Sequence, residues 1–481
     1  MADGGAAIDL SLHERQTSAF ESTATEILYG GAAGGGKSHL MRVAAIVWCA
    51  EIPGLQVYLF RREFADLYKN HLEGSGSFLA LLASWIDAGF VKYNISKNFF
   101  SFWNGSKIHL CHCQYEKDVF GYQGAEIHVL LMDELTHFTR TIYAFLRSRV
   151  RLGGLKIPEK YKHLFPRILC GSNPGGLGHN WVRADFVTLA APMALTQMPR
   201  EEGGLLRQYI PAKLADNPTL TENDPGYADR LHGLGNAALV KAMLDGDWNI
   251  VAGGALDDLW TPRIIVPRFP VPASWRVDRS FDWGSSKPFS VLWWAESDGT
   301  EAPLPDGVRW APPRGSLIAV HEWYGAKGPN EGLKMPAPEI ASGIKRREAE
   351  LVTGGWIKAT PSPGPADNAI STSNPGTPSI AKEMEDAGIT WTESDKAPGT
   401  RKIGLDLIRS RLTEAGKERP EKPGLWVMCH CTQLQAHLPV LPRDKSNPDD
   451  VDSDAEDHDY DATRYRVLAI RLRATTAPLK I

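Results

Sequence analysis

The sequence predicts an α/β protein of two domains, the first with a mostly parallel sheet. Its 481 residues are too many for one hydrophobic core, so two or three domains are expected. In the first half, short apolar runs predict buried strands like those of a parallel sheet. Near position 253 the chain enters the glycine- and proline-rich stretch "VAGGALDDLWTPRIIVPRFPVPASW". We therefore expect domains at residues 1–252 and 275–481, joined by a linker at 253–274.

The overall composition excludes several classes of protein. With 43% hydrophobic and 23% charged residues, the chain has the composition of an ordinary soluble globular protein. No apolar stretch approaches the roughly 20 residues that span a bilayer, and the N-terminus lacks the pattern of a secretion signal. Six cysteines are too few for a disulfide scaffold, so a reducing cytoplasm is expected. Because the net charge is −4, nucleic-acid binding would need locally concentrated positive charge.

The first candidate site is the glycine-rich segment "ILYGGAAGGGKSHLM". It matches the pattern G-x-x-x-x-G-K-[ST], with Lys37 and Ser38 at its end, between a predicted strand and a predicted helix. Glycines let successive backbone N–H groups turn toward a phosphate chain at a helix N-terminus. Lys37 would bind the β- and γ-phosphates of ATP, and Ser38 would ligate Mg²⁺. Unless the segment is only a turn, the glycines expected around the phosphates are Gly31, Gly34, Gly35 and Gly36.

The segment "HVLLMDELTHF" supplies the second part of such a site. Four apolar residues predict a buried strand that ends at Asp133 and Glu134. Ligands of open α/β sheets bind at the carboxyl ends of the strands. Asp133 would bind Mg²⁺, and Glu134 would polarise the water that attacks the γ-phosphate. Adjacent acids are often surface residues, but together with the glycine-rich segment they predict ATP hydrolysis.

Two further strands end in polar residues. "RILCGSNPGG" ends in Ser172, Asn173 and Pro174, and "VYLFRREFADL" ends in Arg61 and Arg62. The Asn173 amide is a candidate sensor of the nucleotide, and an arginine at a strand end can stabilise the charge of the transition state. The alternative for Asn173 is an ordinary loop turn, and the alternative for the two arginines is a solvated surface.

The second half predicts an acidic site. "SWRVDRSFDWG" begins a strand meander with Asp282 in its first strand, and Asp367 follows another probable strand. Asp457 and Asp461 lie four residues apart, which places them on one face of a helix. Carboxylates packed together repel one another unless cations neutralise them. Such acids fit a site for two divalent ions, Mg²⁺ or Mn²⁺, that promotes cleavage of a phosphodiester. The alternative is that these acids are scattered over the surface.

The motifs together resemble a known family. "GGAAGGGKS", "FGYQGAEIHVLLMDE", "CGSNPGG", "DGDWN", "SFDWG", "ADNA" and "DHDYDATRY" follow the order of the large subunit of tailed-bacteriophage terminases, the motors that package DNA. The resemblance implies a P-loop ATPase domain that translocates double-stranded DNA and an RNase H-like α/β nuclease domain that cuts concatemers. It also implies a viral protein of the host cell cytoplasm, not bound to a membrane, with the portal protein and the small terminase subunit as partners. A homo-oligomeric ring, a pentamer in this family, is expected on the procapsid, and a monomer in solution.

The resemblance also implies a role for individual residues. The nucleotide-binding residues it implies are Gln16, Gly31, Gly34, Gly35, Gly36, Lys37, Ser38, Asp133 and Asn173, with Gln16 reading the adenine. The catalytic residues it implies are Glu134, Asp282, Asp367 and Asp457. The metal ligands it implies are Ser38, Asp133, Asp282, Asp367, Asp457 and Asp461. The third nuclease acid stays open among Asp457, Asp459 and Asp461, and the identity of the arginine finger is open, with Arg61 and Arg62 as candidates.

Two other functions remain open from the sequence. One is a helicase-like DNA translocase whose second domain only binds DNA, and the other is a docking component in which nucleotide acts as a structural switch. DNA contact is expected to be electrostatic. The candidate positively charged stretches are "IRSRLTEAGKERPEK" and "IKRREAELV", and the alternative is that both are solvated helix faces. Two "CHC" segments, Cys111–Cys113 and Cys429–Cys431, favour buried apolar cysteines over soft-metal sites, because zinc sites prefer longer spacing.

Overall fold

A computed structural model describes residues 10–233, 240, 244–248, 254–305, 307–373, 376–444 and 446–476. The chain divides into two compact units, Met1–Ala252 and Gly253–Ile481. Residues 1–9, at the start of the N-terminus that lacks a secretion-signal pattern, lie outside the described residues, as does Asn249 of "DGDWN".

The first unit is built on a nine-stranded sheet. Its strands are β1 (Glu26–Gly31), β2 (Gln56–Arg61), β3 (Val91–Asn94), β4 (Phe99–Phe102), β5 (Lys107–His112), β6 (Val129–Asp133), β7 (Arg167–Ser172), β8 (Leu195–Gln197) and β9 (Leu206–Ala212). In space they follow the order β3-β4-β5-β2-β6-β7-β1-β9-β8. The central strands, from β5 to β9 in that order, are all parallel, and antiparallel strands extend both edges. The predicted α/β fold with a mostly parallel sheet is confirmed.

Burial and register bring three strand ends of the first unit to one edge of the sheet. Strands β1, β6 and β7 are buried along their whole length, as expected where helices cover both faces. Asp133 on β6 and Tyr29 on β1 are both level with Gly171 on β7, so the polar residues after these strands lie side by side. The helices of this unit are α1 (Glu14–Glu21), α2 (Lys37–Glu51), α3 (Phe64–His71), α4 (Phe78–Leu81), α5 (Ala83–Asp87), α6 (Arg140–Arg147), α7 (His179–Val182), α8 (Pro218–Asn223) and α9 (Tyr227–His232).

The second unit has a seven-stranded sheet and two small hairpins. Its strands are β10 (Ile265–Val266), β11 (Arg276–Asp282), β12 (Ser290–Glu296), β13 (Ala302–Pro303), β14 (Arg309–Trp310), β15 (Leu317–Tyr324), β16 (Ala326–Gly328), β17 (Glu331–Gly332), β18 (Pro365–Ala366), β19 (Thr392–Glu393) and β20 (Leu425–Met428). The sheet order is β10-β20-β15-β12-β11-β18-β19, and β12 alone runs antiparallel to both of its neighbours. The predicted meander through β11, β12 and β15 is confirmed.

Helices and the expected linker complete the second unit. Its helices are α10 (Ala337–Thr353), α11 (Ile380–Asp386), α12 (Thr400–Ala415), α13 (Thr432–His437) and α14 (His458–Thr476). Within the stretch expected to be a linker, β10 pairs in parallel with β20, and Phe269 is buried in the core of the unit. Residues 254–274 therefore pack as part of this unit. Across the described residues of both units, no helix has the length and apolar character needed to cross a membrane.

The cysteines of both "CHC" segments are free thiols. Cys113 and Cys431 are buried, and the thiol of each lies 3.7 Å from a backbone carbonyl oxygen. Cys111 is half-buried and Cys429 is exposed. No group of three or more metal-ligating side chains occurs in the described part of the chain. The preferred interpretation as small buried residues therefore fits Cys113 and Cys431.

Candidate functional site

The loop between β1 and α2 curls through backbone conformations that favour glycine. Gly34 and Gly36 have φ angles of +77° and +74°, and Gly31 has a φ of +114°. A Cβ atom at Gly36 would lie 2.4 Å from Nε2 of Gln16, and one at Gly31 would lie 2.7 Å from Oη of Tyr209. These glycines therefore permit both the curl of the loop and the close approach of its neighbours.

Gln16 on α1 fastens this loop. Its Nε2 donates to the carbonyl oxygen of Gly36 at 2.9 Å, and its Oε1 accepts from the backbone N–H of His13 at 2.8 Å. Tyr29 donates to the carbonyl oxygen of Gly35 at 2.9 Å. The Gln16 side chain is buried against the loop backbone. Its role in reading adenine stays a prediction.

Lys37 is the first residue of α2 and is only 8% exposed. Its Nζ donates to the carbonyl oxygen of Ala32 at 3.1 Å and to Oδ1 of Asn173, just after β7, at 2.6 Å. Ser38 follows and is half-buried. Because both partners of the ammonium are neutral oxygens, its positive charge is not cancelled and remains available to an anion at the N-terminus of α2.

Asp133, the last residue of β6, is fully buried and has one free oxygen. Its Oδ2 accepts from Nε of Arg61 at 2.7 Å and from Nε2 of His71 at 3.0 Å, whereas its Oδ1 has no hydrogen-bond partner. Burial alone would raise the pKa of Asp133, but the hydrogen bonds from His71 and Arg61, together with the charge of Arg61, outweigh burial and hold it below its usual range. A Cβ atom at Gly171 would lie 3.3 Å from Cβ of Lys37 and 3.7 Å from Oδ1 of Asp133. The free oxygen and the base of the Lys37 side chain therefore lie beside the same face of Gly171.

Glu134, directly after β6, has strained backbone geometry. Its φ of +56° lies in the left-handed region, which costs a non-glycine residue roughly 1–2 kcal/mol. Such strain is concentrated at functional sites. One guanidinium nitrogen of Arg61 lies 3.8 Å from Glu134 Oε1, so Arg61 contacts both Asp133 and Glu134. Arg62 instead donates to the carbonyl oxygen of His137 at 3.4 Å.

The segment after β7 is fixed by side chains from two directions. Ser172 Oγ accepts from the backbone N–H of Thr136 at 3.1 Å and donates to the Thr136 hydroxyl at 2.9 Å, which ties the ends of β6 and β7 together. His179 accepts the N–H of Gly175 at 3.0 Å, and its Nε2 lies 3.1 Å from the carbonyl oxygen of Trp248 in "DGDWN". His179 thus bridges two of the motifs that carry the family resemblance.

Because His179 is buried as a neutral ring, we expect the stability of the first unit to fall in acid. Burial, followed by the charge of Arg183, lowers the pKa of His179 to about 4, against 6.5 for an ordinary histidine. This stabilisation is complete above pH 6.5 and is lost as the pH falls toward 4, by at most about 3 kcal/mol. Melting temperatures measured from pH 7.5 to 4.5 should show the advantage of the wild type over His179→Asn shrinking with acid. For the exposed His163→Asn control the difference should stay constant, and a constant difference for His179→Asn would contradict the expectation.

In the second unit, three of the predicted acids meet around one tyrosine. Asp282 ends β11, and Asp367, directly after β18, donates its N–H to the carbonyl oxygen of Phe281 at 3.0 Å. Tyr465 Oη on α14 lies 3.3 Å from Asp282 Oδ1 and 3.4 Å from Asp461 Oδ2. The predicted helix thus carries its acidic face to the ends of the two strands.

Protein groups bind most of the carboxylate oxygens in this cluster. Lys396 Nζ donates to Asp367 Oδ1 at 2.9 Å and to Tyr465 Oη at 3.2 Å. His458 Nδ1 lies 3.0 Å from Asp282 Oδ2. Burial, reinforced by the charges of neighbouring acids, raises the pKa of Asp282 to about 6 despite the contact with His458.

Asp457 and Asp459 differ sharply in their surroundings. Asp457 is 8% exposed, and no other described residue forms a hydrogen bond or ion pair with its carboxylate. Burial and repulsion by Asp461 and Asp282 raise its pKa well above the usual value. Asp459 instead bonds to Ser290 Oγ and lies 2.7 Å from His437 Nδ1, so its oxygens are already occupied. Of the two, Asp457 has the free carboxylate.

The sequence predicts metal ligands in both units, and in each unit one buried carboxylate shows whether a cation would fit. In the first unit, the buried, unpartnered Oδ1 of Asp133 fits a cation beside Lys37. In the second unit, Asp457 fits a cation because burial and repulsion by Asp461 and Asp282 disfavour its charge. As placed, however, no three His, Cys, Asp or Glu side chains among the described residues converge to hold one ion. Lys396 supplies positive charge beside Asp367 instead.

Sequence patterns did not indicate four residues of these sites, namely His71, Lys396, His458 and Tyr465. The i,i+4 spacing from Asp461 to Tyr465 was a usable signal, because such residues share a helix face. His71 and Lys396 reach the acids only through tertiary packing.

The two basic stretches proposed for DNA are largely engaged within the second unit. Arg409 forms an ion pair with Asp258 at 2.5 Å, and Arg411 donates to the carbonyl oxygen of Gly315 at 3.0 Å. The Arg347 guanidinium lies 3.7 Å from the centroid of the Trp323 ring. These arginines therefore stabilise the unit rather than form a free basic surface.

Solved structures similar to this chain are large terminases of bacteriophages. The large terminase of a thermophilic bacteriophage, in complex with ADP, is 14% identical, covering 96% of this chain and 100% of that chain with a TM-score of 0.39. The HK97 bacteriophage large terminase is 11% identical over 95% of each chain with a TM-score of 0.41. The nuclease domain of the P22 large terminase is 14% identical, covering 44% of this chain and 91% of that chain with a TM-score of 0.31. The sequence matches no protein-family model and no curated protein.

Proposed function

We propose that this chain is the large subunit of a phage terminase, in which an ATP-driven translocase for double-stranded DNA is joined to a metal-dependent endonuclease. The observation that carries the proposal is the free, buried Oδ1 of Asp133, which lies beside the same face of Gly171 as the base of the Lys37 side chain. A lysine at the head of a helix beside an unpaired carboxylate oxygen is the arrangement that a Mg²⁺–nucleotide needs.

In the proposed ATPase site, each residue has a separate task. Lys37 and the loop N–H groups bind the β- and γ-phosphates, and Ser38 and Asp133 hold Mg²⁺. Bound Mg²⁺ supplies charge neutralisation between the phosphates. Glu134 orients and polarises the attacking water from its strained position at the end of β6. Asn173, which binds the Lys37 ammonium, links the state of the phosphates to the segment after β7.

In the proposed nuclease site, the metal ligands are Asp282, Asp367, Asp457 and Asp461. Two divalent ions, Mg²⁺ or Mn²⁺, would supply an activated water and a stabilised leaving oxygen. Tyr465 and His458 orient the Asp282 carboxylate through the two contacts described above. The carboxylate of Asp457 forms no hydrogen bond or ion pair with another described residue. Burial together with Asp461 and Asp282 disfavours its charge despite His458 and Arg401, so it would gain from a bound cation.

The partners follow from the motif resemblance. We propose double-stranded DNA as the polymer moved and cut, the portal protein of the procapsid as the docking site, and a small terminase subunit as a further partner. A homo-oligomeric ring on the procapsid, a monomer in solution and a location in the host cell cytoplasm belong to the same proposal.

A second candidate function is a helicase-like DNA translocase whose second unit only binds DNA. Two findings favour it: no three ligating side chains converge among the described residues, and Lys396 already neutralises Asp367. The presence or absence of metal-dependent cleavage separates the two candidates.

The test uses the full chain. Phosphate release from ATP is measured in Mg²⁺, and nicking of supercoiled plasmid is measured in Mg²⁺ and in Mn²⁺, with EDTA as the control. We expect both activities with divalent ions, neither in EDTA, and DNA binding that weakens steeply with salt. Hydrolysis without nicking in either ion would favour the second candidate, and absence of hydrolysis would contradict both.

A further inference from the structure

A buried chain of three side chains connects the helix after the glycine-rich loop to Asp133. Arg42 on α2 donates to the carbonyl oxygen of Asn70 at 2.9 Å and lies 3.4 Å from Nδ1 of His71. His71, the last residue of α3, places its Nε2 3.0 Å from Oδ2 of Asp133. Arg42 is 8% exposed, and the other two members of the chain are fully buried.

The direction of these hydrogen bonds is fixed by chemistry. A guanidinium only donates, so Nδ1 of His71 accepts from Arg42. The ring proton therefore sits on Nε2 and is donated to Asp133. Arg61 donates to the same oxygen from β2, so Oδ2 holds two donors and Oδ1 holds none. Two donors from different elements prevent the carboxylate from exchanging its oxygens.

We propose that Arg42 and His71 form a positioning pair that keeps the free oxygen of Asp133 turned toward Lys37. The inference rests on the proposed nucleotide site and names residues that the motifs did not. Because α2 begins at Lys37 and also carries Arg42, one helix controls both the phosphate-binding lysine and the orientation of the carboxylate. Partners behind a metal ligand of this kind typically set metal affinity within a factor of about 10–100.

Binding of a fluorescent ADP analogue, mant-ADP, tests the pair without relying on turnover. Its affinity is measured in EDTA and in excess Mg²⁺ for the wild type, His71→Leu and His71→Gln. We expect His71→Leu to lower the Mg²⁺-dependent gain in affinity by ~10-fold, while the affinity in EDTA stays unchanged. Glutamine carries an N–H donor near the position of Nε2, so His71→Gln should restore most of the gain.

A matched control lies at the other end of the same strand. His128 is buried just before β6, and its Nε2 lies 3.2 Å from Glu126 Oε1, far along the strand from Asp133. His128→Leu should keep the wild-type gain.

Arg42→Met removes the donor to Nδ1 without touching Asp133, and a smaller loss of the Mg²⁺-dependent gain is expected for it. If His71→Leu does not fold, Arg42→Met still tests whether the pair positions Asp133. Folded His71→Leu or Arg42→Met variants that keep the wild-type gain would overturn the pair. A wild type that shows no Mg²⁺-dependent gain would instead overturn the nucleotide site itself.

Discussion

Lys37→Ala is expected to lower the rate of ATP hydrolysis by on the order of 100-fold or more. The ammonium of Lys37 is the buried positive charge at the N-terminus of α2, and no other described lysine or arginine side chain bonds to the Asn173 amide beside it. Alanine is a strong helix former, so α2 should still begin at this position. Phosphate release at saturating ATP measures the effect.

The same variant should leave DNA cleavage intact, because the acidic cluster belongs to the other unit. Plasmid nicking in Mn²⁺ without ATP is therefore the internal check that Lys37→Ala remains folded. Lys69→Ala, which changes an exposed lysine on α3, should match the wild type in both assays. Hydrolysis by Lys37→Ala at close to the wild-type rate would show that the loop does not bind the phosphates.

Those parts of the fold that depend on local pattern could be predicted from the sequence. The run before Asp133 is apolar at every position because β6 is covered on both faces, and the glycine-rich loop is followed at once by α2. The spacing of Asp457 and Asp461 predicts one helix face; Asp461 lies in the first turn of α14, whereas Asp457 is the residue directly before the helix. In each case neighbouring residues along the chain carry the information.

The remaining features depend on partners distant in sequence. Arg409 and Arg411 belong to a stretch rich in positive charge, but Asp258 and two backbone carbonyl oxygens bind them. His71 is one residue among many on a short amphipathic helix, and only the packing of α3 on the sheet gives it a carboxylate to bind. Lys396 lies in a loop whose path determines that it meets Asp367. A single sequence carries no signal for such pairings.

Asp282→Asn is expected to lower metal-dependent cleavage by on the order of 100-fold or more, because it removes a charged oxygen ligand from the centre of the acidic cluster. Asparagine has nearly the same shape and still accepts a hydrogen bond from Tyr465. Plasmid nicking in Mg²⁺ and Mn²⁺ measures the loss, and ATP hydrolysis should stay at the wild-type rate. Asp406→Asn, which neutralises an exposed acid on α12, is the matched control.

The same substitution should stabilise the protein when no metal is present. Burial and nearby acids raise the pKa of Asp282 to about 6, so above that pH the folded state holds a charge that its surroundings disfavour. Removing the charge should raise the melting temperature in EDTA at pH 8 by up to roughly 8 °C, corresponding to about 3 kcal/mol. The gain should shrink as the pH falls from 6 and vanish below the usual aspartate value of 3.8, where the carboxyl is neutral in both the folded and unfolded states.

Added Mn²⁺ should reverse this order of stability. A cation that binds only the folded state raises the melting temperature of the wild type, and Asp282→Asn, with one ligand fewer, should respond less. Opposite effects in EDTA and in Mn²⁺ would distinguish a metal ligand from a residue that merely packs in the core. If Asp282→Asn melted below the wild type in EDTA, responded equally to Mn²⁺ and still nicked plasmid, the acidic cluster would be structural and the second unit would be a binding module.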